Sequence, residues 1–207
     1  MIVVREVMKM EFTKTQTFLN LARSFAGESQ AGMRYQLIAK QAKGQGLEVL
    51  ANTIRTIAKN ETNHARVFFE AIQKNAGSQE NIKLDAGYPF HSGTLEENLK
   101  FAANDEREEH VNIYPAFAKI AREEGYEQIA LRFEQVAKVE NNHMIVFDYL
   151  YEAFKDGSLY KTERPMLWIC SECGYMHTSK EAWKVCPLCG APQGDVELHL
   201  PFKKENL

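Results

Sequence analysis

Four stretches of this chain keep an apolar residue at alternating three- and four-residue steps over several turns, and each is broken near its middle by charge. The first stripe runs Leu21, Phe25, Glu28, Gly32, Tyr35, Ala39. The second runs Leu47, Leu50, Ile54, Ile57, Glu61, His64, Phe68, Ile72. The third is Leu95, Leu99, Ala102, Glu106, Glu109, Ile113, Ala116, Ile120, and the fourth is Ile129, Phe133, Val136, Glu140, His143, Phe147, Leu150, Phe154. Amphipathic helices bury such stripes against one another, so one core would receive five carboxylates and two imidazoles. A buried unpaired carboxylate is costly, and several at close quarters repel. The helices can close only around positive charge. Two divalent cations supply it, and carboxylate with imidazole suits iron or manganese. A dinuclear metal centre is the expectation.

Spacing points the same way. Glu-x-x-His sets both side chains on adjacent turns of one helix face, and it occurs twice, at Glu61 to His64 and Glu140 to His143. Glu28 precedes Glu61 by 33 residues and Glu106 precedes Glu140 by 34, so the chain reads as two halves of a pseudo-repeat. Glu109 breaks the symmetry, since its counterpart after Glu28 is Ala31; it is a seventh candidate ligand. Tyr35 and Tyr114 stand near these residues, as candidate hydrogen-bond donors to the ligands or as core tyrosines. His91, His110, His177 and His199 are read as ordinary structural histidines. Pro115 lies inside the third helix and should kink or bulge it close to Glu109.

The connections define the architecture. Gly44-Gln45-Gly46 and Gly125 end the first and third helices with short loops, and Asp156-Gly157 ends the fourth. Residues 75–93 form a long crossover, and Thr94 to Glu97 is a capping box that starts the third helix. Short loop, long crossover, short loop is the order of a ferritin-like four-helix bundle, here all-α over residues 1–157. The stretch before Met10 looks surplus to it, an extension over residues 1–10 with Met8 and Met10 as alternative starts. A linker is expected at 158–166 and a small metal-binding domain at 167–207.

All four cysteines fall in that tail as two C-x-x-C pairs, Cys170 with Cys173 and Cys186 with Cys189. The pattern leaves nothing for a disulfide framework and makes a tetrahedral thiolate site for iron or zinc. Gly174 and Gly190 follow the second cysteine of each pair, where the chain must turn and direct amides at sulfur. With 25 basic and 28 acidic residues the net charge is −3, which gives no polybasic surface for nucleic acid or anionic lipid. No long apolar run marks a leader or a membrane span, so the chain reads as soluble and cytoplasmic.

These residues resemble the rubrerythrin family over nearly the whole chain. The likeness rests on Phe25-Ala26-Gly27-Glu28-Ser29-Gln30-Ala31, both Glu-x-x-His segments, Tyr114-Pro115, and the rubredoxin-like end Cys-Pro-Leu-Cys-Gly at 186–190. It implies a di-iron bundle joined to a rubredoxin-like domain with one iron, zinc being the alternative occupant. The implied activity is a cytoplasmic non-haem peroxidase that reduces hydrogen peroxide to water in oxidative-stress defence. The implied donor is rubredoxin or an NAD(P)H-dependent reductase. The resemblance implies that Glu61 and Glu140 bridge the irons, with Glu28 on one and Glu106 with His143 on the other. Glu109 and His64 would exchange on the first iron with redox state, and Tyr35 and Tyr114 match tyrosines beside the ligands. It implies also a homodimer or higher homo-oligomer in which the cysteine domain feeds the di-iron site of a neighbouring subunit, head to tail. Met144 and Arg107-Glu108 depart from the family pattern beside the ligands without replacing any. The competing reading is an iron-handling, ferroxidase or ferritin-like protein with a structural zinc cap.

Overall fold

A computed structural model describes residues 11–201 of the chain. The extension expected at 1–10, with Met8 and Met10, lies outside the described residues, as do residues 202–207. Helices α1 (Gln16–Gly44) and α2 (Glu48–Ala76) form one hairpin. The second consists of α3 (Leu95–Glu108), a π-helical segment (Glu109–Ile113), α4 (Tyr114–Glu123) and α5 (Glu127–Lys155). The tail holds an antiparallel pair, β1 (Lys161–Ile169) and β2 (Met176–Glu181), with Trp168 opposite His177.

The helix ends follow from their capping residues. Gly46 at φ 73° donates to the Lys43 carbonyl, and Leu47 N–H reaches back to that of Ala42. Gly125 at φ 82° and Tyr126 repeat this arrangement on Arg122 and Ala121, so the two hairpins are closed by the same cap. The capping box at Thr94 and Glu97 forms as the sequence predicts. Between the hairpins, residues 77–94 lie along α1, where the Tyr88 hydroxyl donates to the Arg23 carbonyl at 3.0 Å and Arg23 Nε to that of Asp85 at 3.2 Å.

The start of α1 is held from far away in sequence. Glu124 accepts from the amides of Gln16 and Thr17 at 2.9 and 2.8 Å and from the Thr17 hydroxyl at 2.5 Å. Against a burial cost, these bonds keep the Glu124 carboxyl below its ordinary range. The unfolded chain therefore binds this proton more readily, so the contribution is present above the unfolded value and is lost as pH falls through the folded one. Glu124→Ala should lower stability by about 1–2 kcal/mol at neutral pH and by progressively less towards acid. Denaturant melts at pH 7 and pH 3 check this, and an equal loss at both would refute it.

Two apolar cores bracket a polar waist. One contains Leu50, Ile54, Leu99, Phe147 and Leu150; the other Leu21, Phe68, Ala118, Phe133 and Val136. The first and third stripes differ from their sequence readings. Phe25 is 39% exposed and leans on Phe69, while Ser24 takes the buried place on α1. Beyond Glu109 the buried residues are Tyr114, Ala118 and Ala121, whereas Ala116 is exposed. The π turn, closed by Tyr114 N–H on the Glu109 carbonyl, adds one residue and rotates everything after it. The bulge expected from Pro115 is there; its effect on the phase of the stripe is the correction.

In the tail, β1 begins at Lys161, inside the stretch 158–166 read from sequence as a linker. Leu159, Leu198 and Leu200 are buried in the first apolar core, so the tail rests on the bundle. Among the described residues no helix is long and apolar enough to cross a membrane.

Candidate metal centres

Each long helix brings its interrupting charges to the same level. Glu28, Glu61, Glu106 and Glu140 are at most 1% exposed, and His143 is 4% exposed. Close approach of α1 to α2 depends on Gly32, where a Cβ would meet the Ala58 carbonyl at 3.2 Å and Thr62 Oγ1 at 3.3 Å. The polar side chains fall into two groups, Glu28, Glu61, His64 and Glu140, and Glu61, Glu106, Glu140 and His143. Ligand atoms within each lie inside 4.8 Å of one another, and Glu61 and Glu140 belong to both.

Distances repeat across the pair. His64 Nδ1 lies 3.0 Å from Glu61 Oε2, 3.0 Å from Glu140 Oε1 and 3.6 Å from Glu28 Oε2. His143 Nδ1 lies 2.9 Å from Glu61 Oε1, 2.8 Å from Glu140 Oε2 and 3.6 Å from Glu106 Oε2. The tyrosines cross between hairpins: Tyr35 on α1 donates to Glu106 Oε1, and Tyr114 on α4 donates to Glu28 Oε1. Each fixes one carboxylate oxygen and leaves the other facing an imidazole.

Those inward atoms test the fit to metal. Glu28 Oε2, Glu61 Oε1, Glu106 Oε2, both oxygens of Glu140 and His143 Nδ1 are buried and make no hydrogen bond. Buried polar atoms are normally satisfied, and six in one place converging on two points suit two cations. The charge balance agrees. Burial, then the charge of Glu140, raises Glu28 well above the carboxylate range; burial, then Glu61, raises Glu106 to about 8. Against burial, the His143 and His64 imidazoles beside it bring Glu61 down to about 2. Also against burial, the carboxylates facing them raise His64 far above its usual value and His143 to about 12.

Glu109 belongs to neither group. It sits on the π turn, with its carboxyl raised well above the ordinary range by burial and by the charges of Glu28 and Glu106. Its counterpart on α1, Ala31, is a buried core residue. His110 places Nδ1 2.8 Å from the Ala137 carbonyl, and His91 stacks on Phe101, so both lie outside the groups. One contact had no sequence signal beyond its position before Glu61: Asn60 lies 3.2 Å from His143 Nε2. The facing atom of Asn60 is its amide Nδ2; with Nδ1 serving as a metal ligand, Nε2 would carry the proton and the amide would turn its oxygen to accept it.

In the tail the four cysteine sulfurs gather within 4.8 Å of one another, with Cys170 to Cys189 and Cys173 to Cys186 both 3.7 Å apart. A regular tetrahedron of that edge puts its centre about 2.3 Å from each sulfur, a metal–thiolate bond length. The two knuckles match: Gly174 N–H donates to the Cys170 carbonyl and Gly190 N–H to that of Cys186, both at 2.9 Å, with φ of 73° and 79°. The amides turned to sulfur are therefore not those of the glycines. Tyr175 serves Cys173, Ala191 serves Cys189, and Cys189 and Leu188 serve Cys186, which they hold at about 7 against burial.

A family model described as Rubrerythrin matches residues 20–156, and one described as Rubrerythrin, rubredoxin-like domain, matches residues 168–195. A rubrerythrin of Porphyromonas gingivalis is 38% identical over 92% of this chain and 93% of its own length. One from Nitratidesulfovibrio vulgaris is 34% identical over 89% and 94%. Among solved structures, nigerythrin in a mixed-valence state is 26% identical, with a TM-score of 0.60 over 88% of this chain and 86% of that one. Bacterioferritin of Desulfovibrio desulfuricans shares the fold, at a TM-score of 0.64 over 72% and 85% with 22% identity.

Proposed function

This chain belongs to the rubrerythrin family, with a ferritin-like di-iron site and a rubredoxin-like site for one metal, and from that premise we propose that it reduces hydrogen peroxide to water. One observation carries the reading: two ligand groups sharing Glu61 and Glu140 occur in the same chain as a four-thiolate tetrahedron. A centre that only oxidised ferrous ions would need no one-electron carrier beside it.

Glu28, Glu61, His64, Glu106, Glu140 and His143 would hold the two irons, Glu61 and Glu140 standing in both groups; Cys170, Cys173, Cys186 and Cys189 would hold the third. When bound, the paired irons supply two electrons to the oxygen–oxygen bond, and the thiolate iron carries electrons singly. Tyr35 and Tyr114 keep Glu106 and Glu28 turned so that one oxygen of each faces inward. The two apolar cores exclude water from above and below the site. Glu109, on the π turn and outside both groups, would be the residue that exchanges with His64. The external donor is rubredoxin or an NAD(P)H-dependent reductase, and the protein works in the cytoplasm as a homo-oligomer.

The test is metal content and absorption of anaerobically purified protein before and after one equivalent of hydrogen peroxide. The expected result is about three irons per chain and a reduced tail that turns red as peroxide is consumed. A colourless, zinc-filled tail that peroxide leaves unchanged would refute it.

The π turn gives a separate prediction. Deleting Asn112, which is exposed, should restore continuous α-helix while keeping Leu99, Ala102, Tyr114 and Ala118 in phase. Thermal stability should hold or rise. Peroxide turnover should fall by about tenfold to a hundredfold, because Glu109 loses its wide turn. Unchanged turnover in a folded, iron-loaded deletion variant would remove the turn from the mechanism.

A further inference from the structure

We propose that Asn20 and Ser24 hold an ordered water on the inner face of α1, and that this water and the Ser24 hydroxyl carry protons from the end of the bundle to the metal pair. This rests on the peroxidase reading, in which each peroxide takes up two protons, and deepens it by giving those protons a route.

Away from the metal ligands, the buried polar residues among those described are Thr15, Thr17, Asn20 and Ser24, all at the start of α1. Around them the second core is apolar, with Phe68 and Ile72 from α2, Ala118 from α4 and Phe133 from α5. At 3.6 residues per turn Ser24 shares the inner face with Glu28, one turn or about 6 Å before it, and Asn20 lies about 12 Å before it. A polar line therefore runs through an otherwise apolar half of the bundle and ends at the ligand level.

Two members of the line have partners: Thr15 accepts from the Phe18 amide and Thr17 donates to Glu124. The other two do not. Asn20 Oδ1 accepts from Gln16 Nε2 at 2.9 Å and from Arg23 Nη1 at 3.0 Å. Arginine can only donate, so the oxygen must face it, and the atom left over is Nδ2, which is buried and makes no hydrogen bond. The Ser24 hydroxyl, 4% exposed with its residue, is buried and unbonded too. Other helix hydroxyls bond the carbonyl four residues back, Ser29 to Phe25 at 2.6 Å, Thr56 to Asn52 at 3.0 Å and Thr62 to Ala58 at 3.1 Å. Ser24 forgoes that bond. A donor and a hydroxyl without partners, one turn apart in a core, are the polar groups that a buried water takes up.

Asn20 anchors the water and does not relay, because an amide N–H has no proton to release. The water donates to Ser24 Oγ, and the Ser24 proton is free to point inward. A proton entering at the Asn20 end, where Gln16 and Arg23 are half-buried, forms an O–H bond on the water as another breaks there. The released proton bonds to Ser24 Oγ, and Ser24 gives up its own. Both groups are restored by rotation, and no electrons move. Two passages deliver the two protons that, with peroxide and two electrons, make two waters. The apolar core can thus keep bulk water out and still admit protons.

Two measurements on the full-length, iron-loaded protein test this. The first does not depend on turnover. A crystal structure that orders buried water should show one within hydrogen-bond distance of both Asn20 Nδ2 and Ser24 Oγ. Nδ2 and Oγ bonded to each other or to main chain, with no water between them, would overturn the proposal.

The second is rapid mixing of reduced protein with one equivalent of hydrogen peroxide in light and in heavy water. Ser24→Ala removes one oxygen at a helical position that suits alanine, so fold and iron content should hold. Peroxide consumption should slow by about tenfold or more, and the solvent isotope effect should rise as proton delivery becomes the slow step. Thr56→Ala, which removes an exposed hydroxyl from α2, should leave both as in the wild type. A Ser24→Ala rate equal to wild type, an unchanged isotope effect or loss of iron would overturn the proton path and leave Ser24 a packing residue. If the wild type consumes no peroxide, the peroxidase reading falls and takes the proton role with it, while the crystal still decides the water site.

Discussion

Replacing Glu61 by alanine should remove both irons from the bundle, taking iron from about three per chain to about one while the tail keeps its absorption. Glu61 sends Oε2 to the His64 side and Oε1 to the His143 side, so its loss opens both ligand groups at once. Glu28 stands in only one group, and Glu28→Ala leaves Glu61, Glu106, Glu140 and His143 complete. That variant should keep about two irons per chain. Loss of an outer partner costs metal sites about 10–100-fold, so loss of a ligand shared by both metals should cost peroxide turnover about 1000-fold or more. Should Glu61→Ala fail to fold, Glu61→Gln keeps the shape and halves the ligand capacity, with the same direction of change. Metal analysis with far-UV circular dichroism decides. Equal iron loss from Glu28→Ala and Glu61→Ala would show that Glu61 is an ordinary terminal ligand.

Much of this centre was legible because its chemistry conflicts with its pattern. A carboxylate on an apolar stripe is out of place, and five of them with two imidazoles near the middle of four stripes allow few explanations. Helix ends were equally readable, since Gly46, Gly125 and Gly157 each take the positive φ that a terminating residue needs. Other features were hidden for stated reasons. The π turn was expected near Pro115, yet its one-residue rotation could not be phased from spacing, and Tyr114, Ala118 and Ala121 replaced Ala116 inside. The crossing of the tyrosines, Tyr35 to Glu106 and Tyr114 to Glu28, depends on how the hairpins face each other, which no local pattern records. Asn60 looks like any polar helix residue until His143 is placed beside it. In the tail, strand β1 begins before Pro165 because an edge strand tolerates proline, and composition alone read that stretch as linker.

Cys170→Ser should separate a single reaction from continued turnover. Cys170 is 1% exposed, and its thiolate sits 3.7 Å from that of Cys189 across the tetrahedron. Serine is close in size, so the fold has little reason to change, but a hydroxyl does not ionise near neutral pH and cannot replace a thiolate ligand. The tail should lose its metal and its red absorption. The bundle keeps every ligand, since Glu28, Glu61, His64, Glu106, Glu140 and His143 all lie on α1, α2, α3 and α5. A fully reduced variant should then consume one equivalent of peroxide at the wild-type rate and stop. Steady-state turnover with a one-electron donor should fall by about a hundredfold or more, because the electrons have lost their carrier. Rapid-mixing and steady-state assays on one preparation measure the two quantities side by side. If the first equivalent is also lost while iron in the bundle is intact, the cysteine module acts in building the bundle site, not in feeding it electrons. If steady-state turnover survives, donors reach the buried pair without the tail, and the thiolate site is a structural cap.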